Sequence, residues 1–319
     1  MLGRNLLWCL VVVLAATSPA PAQDIGTLVP VQRPPVPNPN DPNIPAKELF
    51  GRKSEPAPMA ARAIGKYSRG CLAGAKMLPI NGPNWQVMRL SRNRNWAHPV
   101  MIDLLERIAA KAPSVGWRGL LVGDLTQPRG GPMLTGHVSH QIGLDADVWF
   151  TPMPDRELTR REREEMMATN LVTDDWTDVR REIWSPAHIA LLKLVAEQPE
   201  VDRVLVNYAI KKALCREVKG DRRWLTKIRI VYGHNYHFHI RIKCPPDSSN
   251  CEPDPPTPSH DSCAEEIAFW TANDRFKPKP PKPGVERYQL RMADLPAACH
   301  EVLNAPRARS AQPDALSIK

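Results

Sequence analysis

Two short windows constrain what this chain can fold into more than any other stretch. The first is Gly136-His137-Val138-Ser139-His140-Gln141-Ile142-Gly143-Leu144-Asp145-Ala146-Asp147, and the second is Gly233-His234-Asn235-Tyr236-His237-Phe238-His239-Ile240-Arg241. Five of the nine histidines lie in them. In the second window Tyr236, Phe238, Ile240 and Ile242 alternate with His237, His239, Arg241 and Lys243, the period of a strand with one apolar and one polar face. The first window continues into the same pattern, with Asp145, Asp147 and Trp149 on one face and Ala146, Val148 and Phe150 on the other. A fold that uses both windows must bring them together.

Imidazoles with a carboxylate are what a zinc ion binds when one coordination position stays open. Histidines at i and i+2 lie roughly 6.5–7 Å apart along a strand, which suits one ligand beside an acid–base group, or two ligands. His140, Gly143 and Asp147 give a spacing that puts a loop ligand near a strand carboxylate. Asp145 shares the face of Asp147, so spacing does not choose between them. The plain alternative is a polar strand face that carries two histidines, with Gly143 as an ordinary turn glycine. The sequence contains no HExxH motif, so no helix-borne glutamate is available as a base. A histidine near its ordinary pKa can take that part.

The start of the 319-residue chain bears on its compartment. Arg4 precedes an unbroken apolar run from Leu6 to Ala16, and Ala20-Pro21-Ala22 follows as a small-residue cleavage pattern. Residues 1–22 read as a secretory signal peptide. A spanning helix needs roughly 20 apolar residues, and no run here reaches that length. Without Cys9 the cysteines are Cys71, Cys215, Cys244, Cys251, Cys263 and Cys299, an even set that predicts three disulfides in an exported protein. Cys244 and Cys251 flank a Pro- and Ser-rich loop and are the readiest pair. The formal charge of +9 suits an acidic partner. Export argues against nucleic acid and favours the carboxylate-bearing cell wall, although a merely soluble basic surface would carry the same charge.

Residues 23–60 are proline-rich and predict an extended arm without a core of its own. A helix is predicted from Pro99, with Met101, Leu104, Leu105 and Ile108 on its buried face, ending before Pro113. Leu120 to Gly123 reads as a buried strand. Thr159 and Glu162 form a capping box for a helix through Met167. Ser185 and Pro186 open another, with Ile189, Leu192 and Val195 as its stripe. Val204 to Val206 reads as a strand and Ile210 to Val218 as a helix. Lys227–Tyr232 and Tyr236–Lys243 predict a hairpin turning at Gly233-His234-Asn235. The expected fold class is α+β, a central antiparallel or mixed sheet with flanking helices. One domain is expected over 61–303, its catalytic core over 98–245, with a basic linker at Lys277–Pro283 and a disordered tail at 304–319. His98, His188, His260 and His300 are expected to be structural or surface residues.

His140 through Asp147 with His237-Phe238-His239 resembles the LAS metallopeptidases, which comprise lysostaphin, D-alanyl-D-alanine peptidase and hedgehog-type domains. Leu121-Val122-Gly123-Asp124, Gln127-Pro128-Arg129-Gly130-Gly131-Pro132 and the run from Gly233 to Pro245 resemble one branch, the penicillin-insensitive murein endopeptidases. The resemblance covers Cys71 to Cys299. It implies zinc held by His140, Asp147 and His239, with water in the open position and Asp145 in support. It implies His237 as general base and His234 as a further active-site histidine. It also implies disulfides Cys71–Cys299, Cys215–Cys263 and Cys244–Cys251, with termini stapled to the core. A second zinc near a homodimer interface would use His137, Asp174 or Asp175, and a downstream histidine. The chain has no histidine between His140 and His188, and Thr177 or Asp178 stands there instead.

The implied function is a periplasmic, zinc-dependent murein endopeptidase that hydrolyses D-alanyl–meso-diaminopimelyl crosslinks of peptidoglycan. With no serine nucleophile, β-lactams should not acylate it. Two alternatives stand beside it: a D,D-carboxypeptidase on cell-wall peptides, and a non-catalytic, zinc-stabilised wall-binding protein.

Overall fold

The computed structural model describes residues 26–29, 33–279 and 288–307. The expected signal peptide, the end of the Lys277–Pro283 linker and most of the expected tail lie outside them.

Alternating sequence gives eleven short strands among the described residues: β1 Arg62–Lys66, β2 Arg69–Ala73, β3 Lys76–Met77, β4 Asn81–Gly82, β5 Trp85–Val87, β6 Trp96–Ala97, β7 Leu120–Val122, β8 Asp145–Trp149, β9 Val201–Val206, β10 Ile228–Ile230 and β11 His237–Ile242. Seven join one mixed sheet in the order β10-β9-β11-β8-β7-β5-β4. β10 runs parallel to β9 and β5 to β7, and the remaining neighbours are antiparallel. Seven helices accompany them: α1 Ala46–Phe50, α2 Pro99–Lys111, α3 Arg160–Glu165, α4 Pro186–Ala196, α5 Tyr208–Glu217, α6 Cys263–Thr271 and α7 Ala298–Asn304. The fold is α+β, as the sequence predicts.

The expected hairpin at Gly233-His234-Asn235 does not form. β10 pairs in parallel with β9, and β11 pairs antiparallel with β9 on one side and β8 on the other. β9 therefore lies between the two segments. Every residue of β11 except Arg241 is buried. A strand this buried needs both backbone edges paired, which a terminal hairpin would not supply.

On one face of the sheet Ala146, Val148, Phe238, Ile240 and Ile242 pack against Leu104, Leu105 and Ile108 of α2, Leu191, Leu192 and Val195 of α4, and Ile210 and Leu214 of α5. In α4 the stripe passes through Leu191, and Ile189 is only half-buried. α3 has the expected capping box but stops at Glu165, because Met166 turns to an extended ψ of 133°.

A second cluster joins the two ends of the fold. Ala46, Leu49 and Phe50 of α1 pack with Ile64, Cys71, Cys299, Val302 and Leu303. The proline-rich stretch thus contains a short helix that does enter a core, with Pro45 at its cap, where proline loses nothing. Buried Arg129 donates to the carbonyls of Val302, Leu303 and Ala305 at 3.0, 2.9 and 2.7 Å, satisfying acceptors that the end of α7 leaves open. The disulfides Cys71–Cys299, Cys215–Cys263 and Cys244–Cys251 are all present.

Candidate active site

Register brings the two windows together. β11 lies beside β8 with His239 opposite Asp147 and Arg241 opposite Asp145. Directly opposed side chains on one sheet face sit roughly 5 Å apart at Cβ, so each pair is in contact range. His140 enters from the loop before β8 with φ of 63°, a left-handed conformation uncommon for a side-chain-bearing residue. The Asp145 carboxylate accepts the His140 backbone N–H at 3.0 Å and holds it there. Gly143 has φ of 74°, and a Cβ on it would stand 2.5 Å from Leu72 Cδ2 and 2.8 Å from His98 N. It is required by close packing as well as by its turn.

Three donor atoms converge. His140 Nε2 is 3.1 Å from His239 Nδ1, His239 Nδ1 is 3.2 Å from Asp147 Oδ1, and His140 Nε2 is 3.4 Å from Asp147 Oδ1. Ligands of a tetrahedral zinc at its usual bond lengths lie about 3.3 Å from one another. The far nitrogens of both rings are occupied. His140 Nδ1 faces the Leu125 carbonyl at 2.7 Å and His239 Nε2 faces Asp145 Oδ1 at 2.8 Å. Each partner accepts, so each ring carries a proton there and its other nitrogen is the one that faces inward. Asp147 Oδ1 is buried and has no hydrogen-bond partner. Two imidazole nitrogens and a carboxylate oxygen aimed at one point favour a positive charge between them, the proton of His239 or a metal ion in its place. The residues fit a metal ion.

The electrostatics agree. Burial opposes charge on His239, yet Asp145 and Asp147 outweigh it and push its pKa up to about 9. Asp147 is held well below the usual carboxylate range, since His237, His140 and His137 outweigh the effect of burial. Arg241 acts against burial in the same way for Asp145; its Nε is 2.7 Å from the carboxylate.

His237 and His234 stand beside this centre. His237 Nε2 lies 3.5 Å from Asp147 Oδ2, and its ring is 4.8 Å from that of His234. Burial lowers His237 to about 4 and His234 to about 3, so both rings are neutral at neutral pH. His234 is another left-handed residue, with φ of 52°. Its carbonyl accepts the Asn207 N–H at 3.2 Å, and the Asn207 amide donates to the Gly233 carbonyl at 2.7 Å. Strained backbone held by its surroundings on both windows is typical of sites under functional constraint. His234 Nδ1 faces the Tyr232 carbonyl at 3.0 Å, which leaves Nε2 as its free nitrogen.

His137 occupies the mouth. Its Nε2 lies 3.0 Å from Asp124 Oδ2 and its Nδ1 3.5 Å from Asp147 Oδ2. With His140 and Asp147 it offers a second, overlapping donor set whose atoms lie within 4.8 Å of one another. That set is looser, and its His137 Nε2 already has a carboxylate partner. Asp174 is exposed and pairs with Arg180, and no group of three metal donors among the described residues includes it or Asp175.

Sequence reasoning passed over the groups that frame the centre. Buried Asp124 takes Arg94 at 2.8 Å and Arg92 at 2.9 Å besides His137. A cleft of ≈ 120 Å³ opens over Asp147, lined among others by Arg89, Arg92, Trp149, Tyr236 and His237. Asp124 closes the run Leu121-Val122-Gly123-Asp124 and Arg241 shares the histidine face of its strand, so the sequence carries a signal for both.

The penicillin-insensitive murein endopeptidase family profile matches residues 63–304. The chain is 40% identical to a penicillin-insensitive murein endopeptidase of Haemophilus influenzae over 252 residues, 78% of this chain and 85% of that one. It is 36% identical to the proteins of the same description from Escherichia coli and Shigella flexneri, over 79% of this chain and 89% of theirs.

Proposed function

Since the chain belongs to the penicillin-insensitive murein endopeptidase family, we propose that it is a zinc-dependent endopeptidase hydrolysing the D-alanyl–meso-diaminopimelyl crosslinks of peptidoglycan. The substrate implies action outside the cytoplasm, and we assign it to the periplasm. Three disulfides fit an exported protein. Among the described residues no helix is long and apolar enough to cross a membrane.

One observation carries the reading. His140 Nε2, His239 Nδ1 and Asp147 Oδ1 converge within 3.4 Å, with the far nitrogen of each ring held by an acceptor. We assign these three as ligands of a single zinc per chain. Bound there, zinc supplies a Lewis acid that polarises the scissile carbonyl and acidifies water. The chain's own residues do the rest. Asp145 fixes the ring of His239, and the Leu125 carbonyl fixes that of His140. Neutral His237 accepts the proton of the attacking water and returns it to the leaving amine. His234 stands beside His237, and to donate to the developing oxyanion it takes the neutral tautomer with its proton on Nε2, giving up the Tyr232 carbonyl. His137, tied to Asp124, lines the mouth and positions Asp147.

Crosslinked sacculi digested by the purified chain should release monomeric muropeptides from dimers, and chelation by EDTA should abolish the release. His140→Ala should abolish it too. Dimers left intact while terminal D-alanine is lost would make it a carboxypeptidase. Release that survives both EDTA and His140→Ala would overturn the zinc mechanism.

A further inference from the structure

A larger depression adjoins the candidate active site and takes no part in the chemistry above. A groove of ≈ 510 Å³ runs between the proline-rich arm, residues 51–54, residues 91–94 and the 127–135 loop. Arg33, Arg52, Lys53, Arg92 and Arg94 line it, and no described carboxylate does.

Three of these cations are accounted for. Arg52 pairs with Glu48 at 2.6 Å, and Arg92 and Arg94 pair with Asp124. Arg33 and Lys53 have no hydrogen-bond or ion-pair partner among the described side chains. Lys53 is half-buried, and the charges that bear on it most are Arg129 and Arg307. Glu55 acts on Arg129, and Asp41 and Glu48 lie on the other side of Lys53, where they line a neighbouring pocket with it. Burial and two guanidiniums together lower the pKa of Lys53. A cation left among cations is unfavourable until an anion joins it. Arg92 lines both this groove and the cleft over Asp147, so a ligand could occupy the two without leaving the surface.

We infer that the groove is a substrate subsite that binds the free carboxylates of peptidoglycan stem peptides through Lys53 and Arg33. The inference rests on the murein reading above and adds a source of selectivity to it. The sugars and the crosslink amide are neutral, so the stem-peptide carboxylates are what this charge can recognise. The proline-rich arm closes one wall of the groove through Arg33 and Pro35, which gives that arm a role in substrate binding.

The metal-loaded full chain would be assayed on two crosslinked muropeptide dimers, one with free glutamyl carboxylates and one amidated there, away from the scissile bond. The wild-type chain should show a KM roughly three- to tenfold lower on the free-acid dimer, as expected for two partly exposed ion pairs. Lys53→Glu with Arg33→Glu should raise KM on that dimer without lowering kcat, and should erase the preference. Lys53→Gln with Arg33→Gln should do the same to a smaller extent, which separates lost recognition from a charge-reversal artefact. Equal KM for both dimers in the wild type, or a preference that survives in both variants, would overturn the inference. Calorimetric binding of the free-acid and amidated stem peptides, with no turnover, tests the groove by itself. A chain that prefers the free acid there but cleaves neither dimer supports the groove and sinks the endopeptidase reading.

Discussion

Asp145 makes three contacts at once: with the His239 ring, with the Arg241 guanidinium and with the His140 backbone N–H. It touches two of the three assigned ligands and is not one of them. Asp145→Asn keeps the shape and an acceptor but removes the charge that keeps the proton on His239 Nε2. Loss of such a supporting partner usually costs roughly 10–100-fold in metal affinity. Competition with a chromophoric chelator should show a weakening of that size with the fold retained. Unchanged affinity would mean that Asp145 serves the strand pair only. Sequence alternation put Asp145 and Asp147 on one face and could go no further by itself. What separates them is register, His239 against Asp147 and Arg241 against Asp145. Register depends on which strands pair, and that is settled by tertiary packing. Resemblance to a family named Asp147; periodicity did not.

At the scale of elements, α4 shows what a buried histidine does outside the site. His188 Nδ1 accepts the Ser185 N–H at 3.2 Å and so caps its own helix. Its ring meets Trp117 edge-on at 4.9 Å and stacks on Trp184 at 5.4 Å. Burial lowers its pKa from 6.5 to about 4. Below pH 6.5 the unfolded chain takes up a proton that the folded chain refuses. This contribution is therefore complete above pH 6.5 and is lost as pH falls towards 4, by up to roughly 3 kcal/mol. Urea unfolding across that range should show a shallower pH dependence for His188→Gln than for the wild type. Parallel curves would contradict the assignment. The elements themselves were largely legible. α2, β7, β8 and α5 lie within two residues of where periodicity and caps put them. The hairpin failed because turn residues mark a reversal without saying which strand is met after it. The helix at Ala46–Phe50 was hidden by the prolines around it, and its burial depends on α7, which lies at the other end of the chain.

Over the whole molecule, sequence-distant parts converge on a few points. Cys71 and Cys299 join residues 228 apart, and Arg129 reaches from the loop before the first window to the end of α7. The sheet then holds one window in a loop and on β8, and the other on β11 between β8 and β9. That arrangement predicts one metal per chain, with His239 and not His137 completing the ligand set. Zinc content per folded chain, measured after dialysis on the wild type, His239→Ala and His137→Ala, tests this most directly. One zinc per chain in the wild type and in His137→Ala, with loss in His239→Ala, is the predicted result. Retention in His239→Ala with loss in His137→Ala would contradict it, as would a wild-type chain that holds no zinc.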